Sequence, residues 1–129
     1  MSMDGLRSIH GMDKVLEKLP RGLQYFYRFG GNIESLNYEK KFDDEKYFGE
    51  ISVISMVLAD QSGKYRIRLE LFNVVGEIAF DMLNGFCAGF TVEDNADKGY
   101  ETDKRYRITS AEQDISFEIF CEDISIEIL

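Results

Sequence analysis

Tryptophan is absent from this 129-residue chain, histidine and proline occur once each (His10 and Pro20), and there are two cysteines, Cys87 and Cys121. Each scarcity excludes some chemistry. Ser-His-Asp and Cys-His hydrolases need an imidazole to take the nucleophile's proton. The one candidate, His10, sits in a loose-looking leader, MSMDGLRSIHGMD, and reads as an exposed tail residue. The cysteines are too distant for a CxxC or paired metal motif, and zinc would need both of them, His10 and a fourth ligand to converge. Their apolar, strand-like surroundings suit buried thiols, and a disulfide is disfavoured because no export signal precedes them. No apolar run approaches the ~20 residues of a membrane span, and the leader lacks the ~7–15-residue apolar core of a signal peptide. A cytoplasmic protein is expected. Phosphate cradles of the GxxxxGK[ST] or GxGxxG kind are missing, so no cofactor is expected. Basic residues are also in deficit, 15 against 24 acidic, for a formal net charge of -9. That charge disfavours nucleic-acid backbones and suits a basic partner, or simply keeps the protein soluble.

What is present is a 44% hydrophobic chain with 10 Phe and 7 Tyr, enough to bury the core of one domain, residues 1–129 with 1–10 loose. Its centre is ISVISMVLADQSGKYRIRLELF, residues 51–72. Tyr65, Ile67, Leu69 and Leu71 alternate with Arg66, Arg68 and Glu70, the pattern of a strand with one apolar and one charged face. The polar link 59–64, with Gly63 available for positive φ, predicts a hairpin with a longer loop.

Before it, Met12, Val15, Leu16 and Leu19 recur at helical spacing, ended by Pro20 and Gly22. LQYFYRF (23–29) is aromatic and β-prone. Residues 33–42 read as a strand with Leu36, Tyr38 and Phe42 inward. Beyond the centre, Asn84-Gly85 between apolar runs predicts a second hairpin within 77–92. Tyr106 and Ile108 alternate with Arg105 and Arg107. In the closing ISFEIFCEDISIEIL, Ile115, Phe117, Ile119 and Cys121 share one parity and Ile124, Ile126 and Ile128 the other. A bulge or sharp bend is therefore expected at Glu122-Asp123. The pattern predicts a mostly β fold: an antiparallel β-sandwich or partly open barrel of seven to eight short strands with one short N-terminal helix. An α+β arrangement, with the helix packed on one face of an antiparallel sheet, is the alternative.

The acidic loop 93–103 has Glu93, Asn95 and Asp97 at calcium-loop spacing, but Lys98 and Lys104 occupy the glycine and bidentate-glutamate positions, so no metal site is expected. Arg66, Arg68, Arg105 and Arg107 would form a basic strip suited to contact with an anionic ligand or partner if their strands were neighbours; cross-strand pairing with Glu70 or Glu118 is the plainer expectation. The C-terminal run is apolar on both sides, the usual mark of a central strand. If it lies at an edge instead, it offers a contact surface on which Glu118, Glu122 and Glu127 set specificity.

YRIRLELFNV (65–74), a charged loop, and ISFEIFCEDISIEI (115–128) together resemble small acidic bacterial immunity proteins of polymorphic toxin systems. Among these are the immunity protein 50 family and related uncharacterised Gram-positive proteins. The chain departs from that family in having no histidine after His10, hence no Phe-His-Asp element. The resemblance implies a cytoplasmic protein that neutralises a cognate, basic toxin by binding, without chemistry of its own. The alternatives are a small-molecule-binding β-barrel or carboxylate-using enzyme, and a self-associating structural subunit such as a homodimer.

Overall fold

Ten residue pairs stand opposite one another along a long antiparallel hairpin, from Ile33 opposite Leu58 to Asp43 opposite Gly49, with a shift of register between Ile33 and Ser35. Its strands are β1 (Ile33–Asp43) and β2 (Gly49–Ala59). The protein is seen in a computed structural model that describes residues 3–29, 33–60, 62–77, 90–96, 104–110 and 118–129. Next come β3 (Arg66–Phe72), β4 (Val75–Glu77), β5 (Phe90–Asp94), β6 (Tyr106–Ser110), β7 (Glu118–Cys121) and β8 (Asp123–Ile128). They form two four-stranded antiparallel sheets, β1-β2-β3-β8 and β4-β7-β6-β5. Among the described residues neither sheet closes into a barrel. Helix α1 (Met12–Lys18) packs against β8. Among the described residues no helix is long and apolar enough to cross a membrane.

The alternation in the central run does what it predicts. Ile67, Leu69 and Leu71 are buried, and Arg66 and Arg68 face outward. Inner-face residues of both sheets meet in one core: Ile54, Met56 and Leu58 from β2, Ile124 and Ile126 from β8, and Val92, Tyr106, Ile108 and Cys121 from the other sheet. The parity change at Glu122 is a change of sheet. Ile119 and Cys121 are buried from β7, the chain turns at Glu122, whose amide donates to the Phe72 carbonyl, and Ile124 and Ile126 re-enter the same core from β8. Cys121 is a free, buried thiol whose pKa is pushed upward, first by burial and then by Asp123. Cys87 and the hairpin expected at Asn84-Gly85 lie outside the described residues.

Four expectations are corrected. The leader is packed: Met3, Leu6 and Ile9 are buried, with a 3-10 turn at Met3–Leu6. The aromatic segment 23–29 is no strand but two 3-10 turns, Arg21–Leu23 and Phe26–Arg28. Phe26 and Phe29 are both buried, and the three-residue period stacks i and i+3 on one side. The Gln24 side-chain amide donates to the carbonyls of Leu16 and Leu19, which the helix end would leave unpaired. Tyr38 and Phe42 share the core-side face of their sheet yet stay 49% and 72% exposed, while of the three residues expected inward Leu36 alone packs against the core cluster. The reason is position, since among the described residues β1 is the outermost strand and α1 covers the opposite edge. Finally, among the described residues β8 is an edge strand, although β7 is interior to its sheet as its two apolar sides predict. The outer side of β8 is met by His10, whose amide donates to Ile124 O (3.1 Å) and whose carbonyl accepts from Ile126 N (2.8 Å).

The β2–β3 turn is organised by Asp60, which is 4% exposed. Its carboxylate accepts hydrogen bonds from the Ser62 hydroxyl (2.6 Å), the Ser62 amide (3.2 Å) and the Tyr65 amide (3.0 Å). Burial by itself opposes ionisation here, but these hydrogen bonds outweigh it and hold the carboxyl below its ordinary 3.8. A group with a depressed folded-state pKa stabilises the fold fully above its unfolded pKa and stops doing so as pH falls through the folded value. Asp60→Ala is expected to cost ~1–3 kcal/mol at neutral pH, because donors lose a buried charged acceptor. The difference from wild type should shrink in acid, below about pH 4. Urea titrations at neutral and acid pH measure it; a gap that is constant with pH would mean that Asp60 acts through shape alone.

Candidate functional site

The β1–β2 hairpin outruns its sheet. β3 pairs with β2 only from Val53 onward, so among the described residues Gly49 to Ile51 have β1 as their sole strand neighbour. At its tip the Asp43 carboxylate accepts the amides of Glu45 (3.0 Å) and Lys46 (2.9 Å), local capping that makes the five-residue loop a defined structure. Tyr47 then turns inboard and its hydroxyl donates to Asp123 on β8 at 2.6 Å, across 76 positions of sequence. Phe48 is left outside, 84% exposed, at φ 59. A bulky side chain in the left-handed region costs ~1–2 kcal/mol, and nothing is recovered here by burial. Phe42 and Phe48 therefore form an exposed aromatic tip, beside Asp44 and Glu45, whose exposed carboxylates make no ion pair among the described residues.

Inboard of the tip is an open cleft of about 300 Å³. Phe42, Ile51, Phe72 and the Tyr47 ring supply apolar wall, and His10, Lys41, Asp43, Lys46 and Asp123 supply polar groups. The Lys46 ammonium lies 3.3 Å from Asp123 and 5.5 Å from the centre of the Tyr47 ring. Lys41 is tied outward to Glu39 at 3.2 Å. The Tyr47 hydroxyl has its pKa raised, first by burial, then by its hydrogen bond to Asp123 and the negative charges of Asp123, Glu122 and Asp43. It stays a protonated donor at neutral pH. Among the described residues no group of three or more His, Cys, Asp or Glu side chains is placed to hold a metal ion.

The residues singled out from sequence are dispersed. Arg66 and Arg68 belong to one sheet, Arg105 and Arg107 flank or lie in a strand of the other, so the four guanidinium groups form no common strip. Each has a carboxylate partner: Arg66 with Glu34 (2.7 Å), Arg68 with Glu127, Arg105 with Asp94 (3.3 Å), and Arg107 with Glu118 (2.7 Å) and Glu93 (3.6 Å). Glu118 pairs as the alternation suggests, whereas Arg68 chooses Glu127, its registered neighbour on β8, over Glu70. Glu122 accepts from the Asn73 side-chain amide at 3.3 Å. The Arg105–Asp94 pair extends through Ser8 (2.9 Å) to the buried Tyr106 hydroxyl (2.8 Å), which fastens the leader to the second sheet.

Sequence reasoning overlooked Lys46, Tyr47 and Asp123, and it read His10 as an exposed residue of a loose tail; His10 is exposed, but its backbone is held by β8. Only the segment 47–49 carried a hint, two aromatics and a glycine after a charged loop, and nothing local marks Asp123 as the group Tyr47 reaches. No protein-family model, curated protein or solved structure matches the chain.

Proposed function

We propose that this is a non-enzymatic binding protein that captures a basic protein partner through the aromatic tip of its β1–β2 hairpin. One observation carries the reading: Phe48 is held almost fully exposed in a conformation that costs free energy and returns none within the chain. Strain kept at a surface position suits a residue whose contacts are made with something else. Aromatic anchors dominate binding energetics where they fill a partner's pocket, and Asp44 and Glu45 beside them favour a pocket rimmed by Lys or Arg. The net charge of -9 works against a second copy of this chain and for a cationic protein. A cognate bacterial toxin, as the resemblance to immunity proteins implies, is the most specific form of the proposal, with a cytoplasmic place of action.

The test is calorimetric titration against a toxin-like protein encoded beside this chain's gene. Phe48→Gly removes the strain and the aromatic ring together. It is expected to raise stability by ~1 kcal/mol, since glycine adopts positive φ freely, while weakening binding at least tenfold, as loss of an interface anchor does. Unchanged affinity in a well-folded Phe42→Ser, Phe48→Gly protein would remove the tip from the interface.

A further inference from the structure

We propose that the cleft between the β1–β2 loop and β8 is a binding site for an organic cation, an ammonium or guanidinium group on an aliphatic stem. The molecule displays the chemistry itself. Lys46 places its own ammonium beside Asp123 and over the Tyr47 ring, so the site already accepts a cation between a carboxylate and an aromatic face. Its hold is weak, because the Lys46 side chain is 54% exposed and its ion pair faces solvent. Asp123, by contrast, is largely buried and is fixed by the Tyr47 hydroxyl, so the acceptor is preorganised while its occupant is replaceable.

The surroundings favour a cation over an anion. Asp43, Glu122 and Asp123 all bear on Tyr47, and the second ammonium of the cleft, Lys41, is balanced by Glu39. Apolar wall from Phe72 and Ile51 suits the methylene stem, and about 300 Å³ is room for a short one. Lys46 is then a tethered competitor that an incoming cation displaces. The site adjoins the aromatic tip and shares Phe42 with it, but its carboxylate, Asp123, belongs to β8. Its ligand is either a free small cation or an arginine or lysine side chain of a partner, and the two sources share this chemistry.

The experiment is amide NMR titration of the full chain with n-butylguanidinium and with the peptide Ac-Ala-Arg-Ala-NH2. Butyrate and Ac-Ala-Leu-Ala-NH2 are the controls. Saturable shifts are expected at His10, Lys46, Tyr47 and Phe72 with both cations and with neither control. Lys46→Ala should tighten binding severalfold by removing the competitor, and Asp123→Asn should weaken it about tenfold or more. Tighter binding of the peptide than of butylguanidinium assigns the ligand to a partner's side chain; equal or weaker binding assigns it to a free cation. Butyrate shifting the same amides as strongly overturns the inference. So does absence of saturation by either cation in Lys46→Ala, a surface change that leaves the core intact and reads out even if Asp123→Asn misfolds.

Discussion

Leu69→Ala is expected to destabilise the protein by ~2–5 kcal/mol, through lost burial plus the cavity left behind. Leu69 is 1% exposed at the middle of β3, opposite Met56 on β2 and Ile126 on β8, both also buried. Neighbours held by strand pairing on both sides cannot collapse far into the gap, which puts the cost in the upper part of that range. Arg68→Ala, one residue earlier, should cost well under half as much, since its pair with Glu127 is exposed and such pairs contribute ~0–1 kcal/mol. Urea unfolding of the two variants decides the matter. Equal losses would mean that the burial of the two faces does not govern stability at this strand.

Gly11→Ala is the other change with a large expected effect. Gly11 stands at φ +88, and a Cβ built on it would lie 2.1 Å from the Ile126 carbonyl oxygen. An alanine there pays ~1–2 kcal/mol for the left-handed backbone. It also forces the leader away from β8, which removes the two His10 backbone bonds at about 1 kcal/mol each. A total on the order of 3–4 kcal/mol follows, with faster hydrogen exchange at the Ile126 amide as the local signature. Gly5→Ala is the control, since nothing lies within 4 Å of its Cβ position, and its effect should stay within about 0.5 kcal/mol. If the two alanines behave alike, the leader does not clamp the strand edge. The stakes are more than stability, because an unclamped β8 is an open edge beside Asp123 and the cleft.

The faces of β3, the β2–β3 hairpin, the α1 helix and the break in parity at Glu122 were all legible in the residues. Each is a local property. A pleat of period two or a helical turn sorts neighbouring side chains without reference to the rest of the chain. The candidate site was nearly illegible. Tyr47 and Asp123 meet across the sheet, His10 reaches β8 from the leader, and Arg68 finds Glu127 through register. None of these meetings leaves a pattern within a window of ten or twenty residues.

Alternation alone assigned Tyr38 and Phe42 to the inward face, and they do lie on that face. Whether a face is covered depends on strand order and on where α1 comes to rest. By itself, then, the sequence determined an acidic, mostly β protein, the faces of its central strand and the turn between β2 and β3, because these follow from charge count, periodicity and the φ preferences of a few residues. Tertiary structure decided which strands stand at edges, which aromatics stay in water, and which carboxylate Tyr47 and Lys46 share. Those outcomes depend on contacts between segments far apart in the chain, where the free energy of burial is set by the partner that arrives and not by the residue that waits.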